Sequence, residues 1–425
     1  MDEKNRTYFL ELIGIDKKMQ IKKEKFTTYQ IVVITVLALT QFTVVLDFMV
    51  MSPLGDQLMK SMSLTTAQFG VAVFSYAFSA GISGFLTAGF ADSFDRKKLL
   101  IFFYIGFILG TLFCGLVTNY PMLIAARIIT GLFGGVIGSI SMAIVSDLFS
   151  IEQRGRVMGF MQMGFGTSQV LGIPISLFIA NKWGWQSPFF MIVGLATVVC
   201  IVIGIRLKPI TKHLEIKNKN NALKHLWHTI SQRNYRIGFM ATALMSLGGF
   251  MIMPWGSVYA INNLNVTKEQ LPVLFMIAGI ATLLIMPVIG KLSDKIDKFN
   301  LFAIASIWMI IVVIIYSNLI PVPFWIVVVL NVLMMMGVMA RMVPSIALVS
   351  ALPQLHDRGA FMSINSSLQQ LAGGIAAAIG GMIVIQKDNF SPIEHYNILG
   401  LVVAFFVVVC IFMLRRVSRI VKSKL

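Results

Sequence analysis

Val44–Gly55 reads VVLDFMVMSPLG, a single carboxylate at Asp47 inside an apolar run, with Pro53 six residues after it. The run continues upstream, so residues from about 30 to 54 form one apolar block, the length an α-helix needs to cross about 30 Å of hydrocarbon. Part of the stretch is repeated. FMVM (Phe48–Met51) returns as FMIM (Phe250–Met253) at an offset of 202 residues. A block that is long enough to span a membrane, and that recurs once, sets the reading of everything around it.

Blocks of the same kind fill the chain. Its 425 residues are 57% hydrophobic and 12% charged, about half the charged fraction of a soluble domain, and the mean hydropathy is +0.82. Twelve spans are expected, at about 30–54, 67–91, 99–118, 121–147, 157–180, 187–207, 235–260, 270–292, 299–318, 321–349, 358–386 and 395–414. The polar connection KPITKHLEIKNKNNALKHLWHTISQRNYR separates the sixth from the seventh. The expected organisation is a basic N-terminal segment (1–29), a six-helix bundle (30–208), a linker (209–234), a second bundle (235–414) and a basic tail (415–425). The fold class is an all-α integral membrane protein of twelve helices in two pseudo-symmetric bundles. No cleavable signal peptide is expected, because the first apolar block is too long for one.

Charge fixes the expected orientation. With both termini cytoplasmic, the outer loops hold only Lys60, Lys182, Lys268 and Lys387, and the spans hold Arg127 and Arg341. Every other one of the 35 lysines and arginines then faces inward, which is the positive-inside pattern. The net charge of +17 therefore faces cytoplasm and anionic lipid, not nucleic acid. Cys114, Cys200 and Cys410 lie singly in apolar blocks, and the five histidines sit in or beside loops. Neither set shows metal spacing or a disulfide framework. No G-x-x-x-x-G-K-[ST] nucleotide loop is present, and the embedded ionisable residues do not form a catalytic set. The chain reads as a non-enzyme.

A second match has the same offset. AGFADSFDRKK follows span 2 and GKLSDKIDK follows span 8, placing Asp92 and Asp294 202 residues apart, each with another aspartate (Asp95, Asp297) three residues on. Parallel six-span repeats are a transporter architecture. These loops resemble the signature of the major facilitator superfamily: Gly89 stands beside the expected glycine position, occupied by Ala88. Asp92 is kept, Asp95 replaces the second glycine, and Arg96 and Lys97 supply the basic pair. The second copy, Gly290 to Asp294, keeps its leading glycine. Two motifs are similar to those of the drug and sugar:proton antiporter branch. One is Arg127-Ile-Ile-Thr-Gly131 in span 4. The other is GTSQVLGIPIS in span 5, where Ile173 separates Gly172 from Pro174. The resemblance implies a monomeric secondary transporter of a small organic solute in a bacterial inner membrane. It would work by alternating access, with efflux by proton antiport as the first reading and a proton gradient, not a cofactor, as the energy source. A proton-coupled uptake symporter is the nearest alternative, and a non-transporting receptor or scaffold a more distant one.

Polarity separates the spans. Spans 3, 6, 9 and 12 are nearly uniformly apolar and are expected to face lipid, whereas spans 1, 4, 5, 10 and 11 carry the embedded polar groups. Thr40, Thr43 and Asp47 share one face of span 1. Thr43, Gln162, Gln169, Asn331, Arg341, Asn365 and Gln369 are the expected substrate-cavity residues. Gly131 and Gly135 on span 4, and the AGGIAAAIGG run of span 11, are expected to let helices approach closely.

Asp47 and Arg127 are the expected proton-coupling pair. At 1.5 Å per residue both fall in the outer half of the membrane at similar depth, about 9 Å from the midplane. A free aspartate, with a pKa of about 3.9, is a poor proton carrier near neutrality, while burial and a nearby arginine act on a carboxyl in opposite directions. The competing reading is a static pair that fixes span 1 to span 4. At the cytoplasmic side Gly89, Asp92, Arg96, Asp147 and Asp294 form the expected gating motif, with Asp92 capping a neighbouring helix, span 11, and Arg96 meeting Asp147.

Overall fold

The computed structural model describes residues 26–87, 94–211, 214, 222–354, 357–388 and 390–423. Spans 1 to 4 are Thr28–Val50, Thr66–Thr87, Arg96–Leu116 and Tyr120–Leu148. Span 5 is composite, Ile151–Thr167, a π-helical turn Ser168–Gly172, then Ile173–Trp183, and span 6 is Ser187–Arg206. In the second half span 7 runs through Arg233–Phe250, a 3-10 turn Met253–Trp255 and Gly256–Asn262. Spans 8 to 12 are Leu271–Lys295, Lys298–Ser317, Phe324–Ser350, Arg358–Ile383 and Tyr396–Lys422. Eleven helices among the described residues are long and apolar enough to cross a membrane. The twelfth, span 11, has the length (26 residues), but serines, Asn365 and glutamines dilute its hydropathy.

Local chemistry starts these helices. Thr27 and Gln30 form a reciprocal capping box at span 1. Asn119 caps span 4 by accepting from Met122 N at 3.0 Å. The second aspartate of each repeated loop is also an N-cap. Asp95 accepts from Lys97 N at 2.9 Å, and Asp297 accepts from Phe299 N and Asn300 N, both at 3.1 Å. Lys422 closes on Asp297 at 2.8 Å, and together with the helix amides it holds that carboxyl below its ordinary range.

Small residues set the helix spacings. A Cβ on Gly135 would come within 2.5 Å of Ala80 Cα, so spans 2 and 4 touch at backbone. The halves meet along two seams. Gly70, Gly81 and Gly84 of span 2 face Ala377, Leu371 and Ser367 of span 11, while Gly374 and Gly381 return the contact to Phe74 and Thr66. Span 8 meets span 5 where Gly279 lies on the backbone of Gln169 and Val170. The Ala/Gly run of span 11 therefore packs on span 2.

Loops beside Tyr29, Asp95, Asp147, Lys208, Asp297 and Lys422 define one side of the bundle, here the terminal side; the opposite side is the distal side. Six hydrogen bonds between described residues join the halves on the distal side. Ser52 Oγ donates to Met253 O (2.6 Å) and Ser257 Oγ to Ser52 O (2.7 Å). Asn262 Nδ2 donates to Asp56 Oδ1 (2.8 Å), Lys60 Nζ to Asn262 Oδ1 (3.1 Å) and Thr66 Oγ1 to Val384 O (2.7 Å). Asn181 Nδ2 donates to Lys268 O at 2.8 Å.

Candidate functional site

The site grows from one face of span 1. Thr40, Thr43 and Asp47 are all buried, and Asp47 sits where spans 1, 3 and 4 converge. Arg127 NH1 donates to Asp47 Oδ2 at 3.1 Å, with both side chains fully buried. Thr111 Oγ1 of span 3 donates to the other oxygen, Oδ1, at 3.1 Å. Arg127 uses little of its donor capacity, since Nε and NH2 have no hydrogen-bond partner. Its guanidinium lies over the Tyr76 ring of span 2 instead, 4.5 Å from the centroid. Cys114 and Thr130 complete the wall, 3.6 Å apart. Isolated, either charge would cost several kcal/mol here; together they form a locally neutral pair whose remaining exposure is to rings and hydroxyls.

The expected face is thus formed, but it points into the interior of its own half. Thr43 is buried and meets the Tyr104 hydroxyl of span 3 at 2.8 Å. Span 3 is correspondingly not inert. Its outer flank, with Phe102, Ile105 and Leu109, is exposed, and its inner flank supplies Tyr104 and Thr111, seven residues apart on one face. Thr111 and Tyr76 are the members that polarity sorting by whole helix missed; a face-by-face reading of span 3 would have shown Thr111.

The second half shows the same pattern. Arg341 is buried and points to span 9, its Nε donating to Ser306 Oγ at 3.0 Å and NH1 to Met309 Sδ at 2.8 Å. The Phe302 ring lies 5.4 Å away. Asn331 is buried beside Tyr316, also of span 9. Both are buried against span 9, because a peripheral helix still offers its inner flank to polar groups of its own bundle. Gln369 is exposed and Asn365 half-buried on span 11, and Gln169 is half-buried on the π turn of span 5. The side chain of Gln162 lies outside the described residues.

The π turn explains the altered motif in span 5. Pro174 has no N–H to donate, and the five-residue turn Ser168–Gly172 immediately before it absorbs the missing bond. Gly172 is buried there, and a Cβ would come within 2.6 Å of Leu46 of span 1, the neighbour of Asp47.

At the terminal side Arg96 and Asp147 pair at 3.3 Å, joining the start of span 3 to the end of span 4. Gly89 and Asp92 lie outside the described residues, as does the side chain of Asp294.

Known proteins share this frame. The family model of the Major Facilitator Superfamily matches residues 37–377 and 238–424. An uncharacterized MFS-type transporter of Bacillus subtilis, YbcL, is 27% identical over 386 residues, covering 89% of this chain and 95% of its own length. Multidrug resistance protein 2 of the same organism is 24% identical over 60% of this chain and 65% of its own. A probable sugar efflux transporter of Helicobacter pylori (strain ATCC 700392 / 26695) is 22% identical over 68% of this chain and 73% of its own. Among solved structures, a bacterial homolog of the human lysosomal transporter Spinster, inward-facing and unoccupied, superposes with a TM-score of 0.75 at 14% identity, covering 94% of this chain and 99% of that one. A D-xylose-proton symporter superposes at 0.73 with 17% identity, over 89% and 97%. This chain belongs to the Major Facilitator Superfamily and is one of its multi-pass membrane transporters.

Proposed function

We propose that the chain exports a small organic solute in exchange for protons, with Asp47 as the proton-binding group and Arg127 as its electrostatic partner. The observation that carries this reading is the fully buried Asp47–Arg127 pair at 3.1 Å. Membrane-embedded charge is expensive and is usually retained for function. The pair holds two states. With Asp47 ionised, Arg127 and Thr111 satisfy both of its oxygens. With Asp47 protonated, the ionic half of that attraction is gone and Arg127 is left to the Tyr76 ring.

Efflux is supported by the names carried by the multidrug and sugar-efflux relatives. With both termini cytoplasmic, as the lysine and arginine distribution favours, the distal side is the outside. The cluster of inter-half hydrogen bonds there then describes a transporter closed to the outside. The same pair serves uptake by symport equally well; the sign of the solute gradient decides between them.

The test is transport in proteoliposomes under an imposed pH gradient, screening amphipathic solutes and sugars. The native chain is expected to accumulate solute against the proton gradient, and Asp47→Asn to lose that accumulation while retaining its elution profile. Intact proton-driven accumulation by Asp47→Asn removes Asp47 from the mechanism.

A further inference from the structure

The proton site lies wholly inside the first half, whereas alternating access moves one half against the other, so a physical link across the seam is required. Two ring contacts supply one. Beyond Arg127, the Tyr76 ring packs on Phe48 with centroids 5.4 Å apart and planes at 32°. Phe48 in turn meets Phe250 of span 7 at 5.9 Å and 56°. Phe250 lies on Gly373 of span 11, where a Cβ would approach its ring to 3.1 Å. Phe48 and Phe250 open the two copies of the repeat, FMVM and FMIM. Their contact therefore joins equivalent residues of the two halves, beside the axis that relates them. The copies differ at the residue before: Asp47 precedes Phe48, and Gly249 precedes Phe250.

Tyr76 has little freedom to yield independently. Its carbonyl and Cα press on Gly131, one turn beyond Arg127 on span 4, so the helix carrying the ring and the helix carrying the guanidinium are in backbone contact. Arg127 is held by its hydrogen bond to Asp47 at 3.1 Å, by the Tyr76 ring and by the neighbouring Cys114 thiol. Anything that weakens the first leaves the second as the principal anchor. The titratable and charged groups around Asp47 are Arg127 from span 4, Tyr76 from span 2 and Cys114 from span 3. Of these, Tyr76 is the one whose ring leads on to the second half.

We propose that Tyr76 is a positioning residue for Arg127, and that the Phe48–Phe250 contact behind it carries the charge state of Asp47 to the second half. This rests on Asp47 being the proton site. The mechanism is steric: protonation changes where Arg127 rests, the Tyr76 ring follows, and Phe48 changes its seat on Phe250. A shift at one packed ring displaces the next because the interior has no slack.

The test is electron–electron distance measurement between spin labels at Ser61 and Thr267, exposed positions on the distal side of each half, with Cys200 replaced by serine. In the native background the ratio of long to short distances is expected to change by about tenfold between pH 5 and 8. Phe250→Leu, Phe48→Leu and Tyr76→Leu are expected to hold that change below about twofold, and Tyr76→Phe, which keeps the ring, to restore it. Two variants cut the same contact, so a folding failure in one leaves the other informative; monodisperse elution and a native distance distribution at pH 8 verify the fold. If Phe250→Leu and Phe48→Leu respond like the native chain while Asp47→Asn does not, the ring relay is wrong and the proton site stands. If Asp47→Asn keeps the native response, or the native chain shows none, the proton reading fails and takes the relay with it.

Discussion

Asp47 is satisfied by two donors of different kinds, a guanidinium and a hydroxyl, and they contribute differently. Arg127 supplies charge, whereas Thr111 supplies a directed hydrogen bond to Oδ1 at 3.1 Å that favours the ionised form. Thr111→Val keeps the shape and removes the donor. A hydrogen bond to a charged group contributes about 1.5–3 kcal/mol, and one pH unit corresponds to about 1.4 kcal/mol. The pH midpoint of transport in Thr111→Val is therefore expected to move alkaline by about one unit or more, with the maximal rate little changed. A midpoint that stays in place would assign Thr111 to packing alone. The ion pair was legible in the sequence because two antiparallel helices with a fixed rise per residue place Asp47 and Arg127 at one depth. Thr111 and Tyr76 were not, because depth leaves open how a helix is rotated about its axis.

Helices in this molecule are held apart or together largely by what glycine omits. At Gly374 of span 11 a Cβ would meet Ala77 Cβ at 3.0 Å and Phe74 at 3.2 Å on span 2. Gly374→Leu must therefore separate the two helices that join the halves. Overpacking of this kind costs about 1–3 kcal/mol, so a lowered unfolding temperature and slower transport are expected. Gly249→Ala, which meets nothing within 4 Å, is expected to leave both unchanged; equal behaviour of the two variants would deny the seam its role. Among the described residues, span limits were readable from hydropathy to within about a turn, with two exceptions. Span 5 begins at Ile151, ahead of the expected 157, and span 12 continues to Lys422, past the expected end at 414, as an amphipathic extension whose Lys422 reaches Asp297. The π turn in span 5 was not readable. Proline marks that a bond is lost, but which neighbouring turn widens depends on tertiary packing, here Gly172 on Leu46.

The whole molecule combines symmetric architecture with asymmetric chemistry. Both halves repeat the aspartate N-cap, the FM-x-M segment and the buried residue near the start of the fourth helix. The first half carries an arginine there with a carboxylate beside it; the second carries Asn331 beside Tyr316. The repeat was visible from two matches at one offset. How Thr43, Asn331 and Arg341 sit was not visible: all three are buried against helices of their own bundle, and polarity alone does not say which way a helix turns its polar face. The ion pair also has an electrical meaning. Asp47 and Arg127 sum to zero while the carboxyl is ionised and to one positive charge once it binds a proton. A full elementary charge crossing the whole membrane does about 2.3 kcal/mol of work per 100 mV, and a charge buried part-way feels the corresponding fraction. If Asp47 is the proton site, the voltage-driven charge movement of the native chain, read as transient current on a supported membrane, should change with pH. In Asp47→Asn, where Arg127 stays uncompensated, it should be the same at every pH. A native current indifferent to pH would contradict the assignment of Asp47. On that assignment membrane voltage discriminates between the protonated and deprotonated carrier, and leaves the deprotonated pair electrically silent.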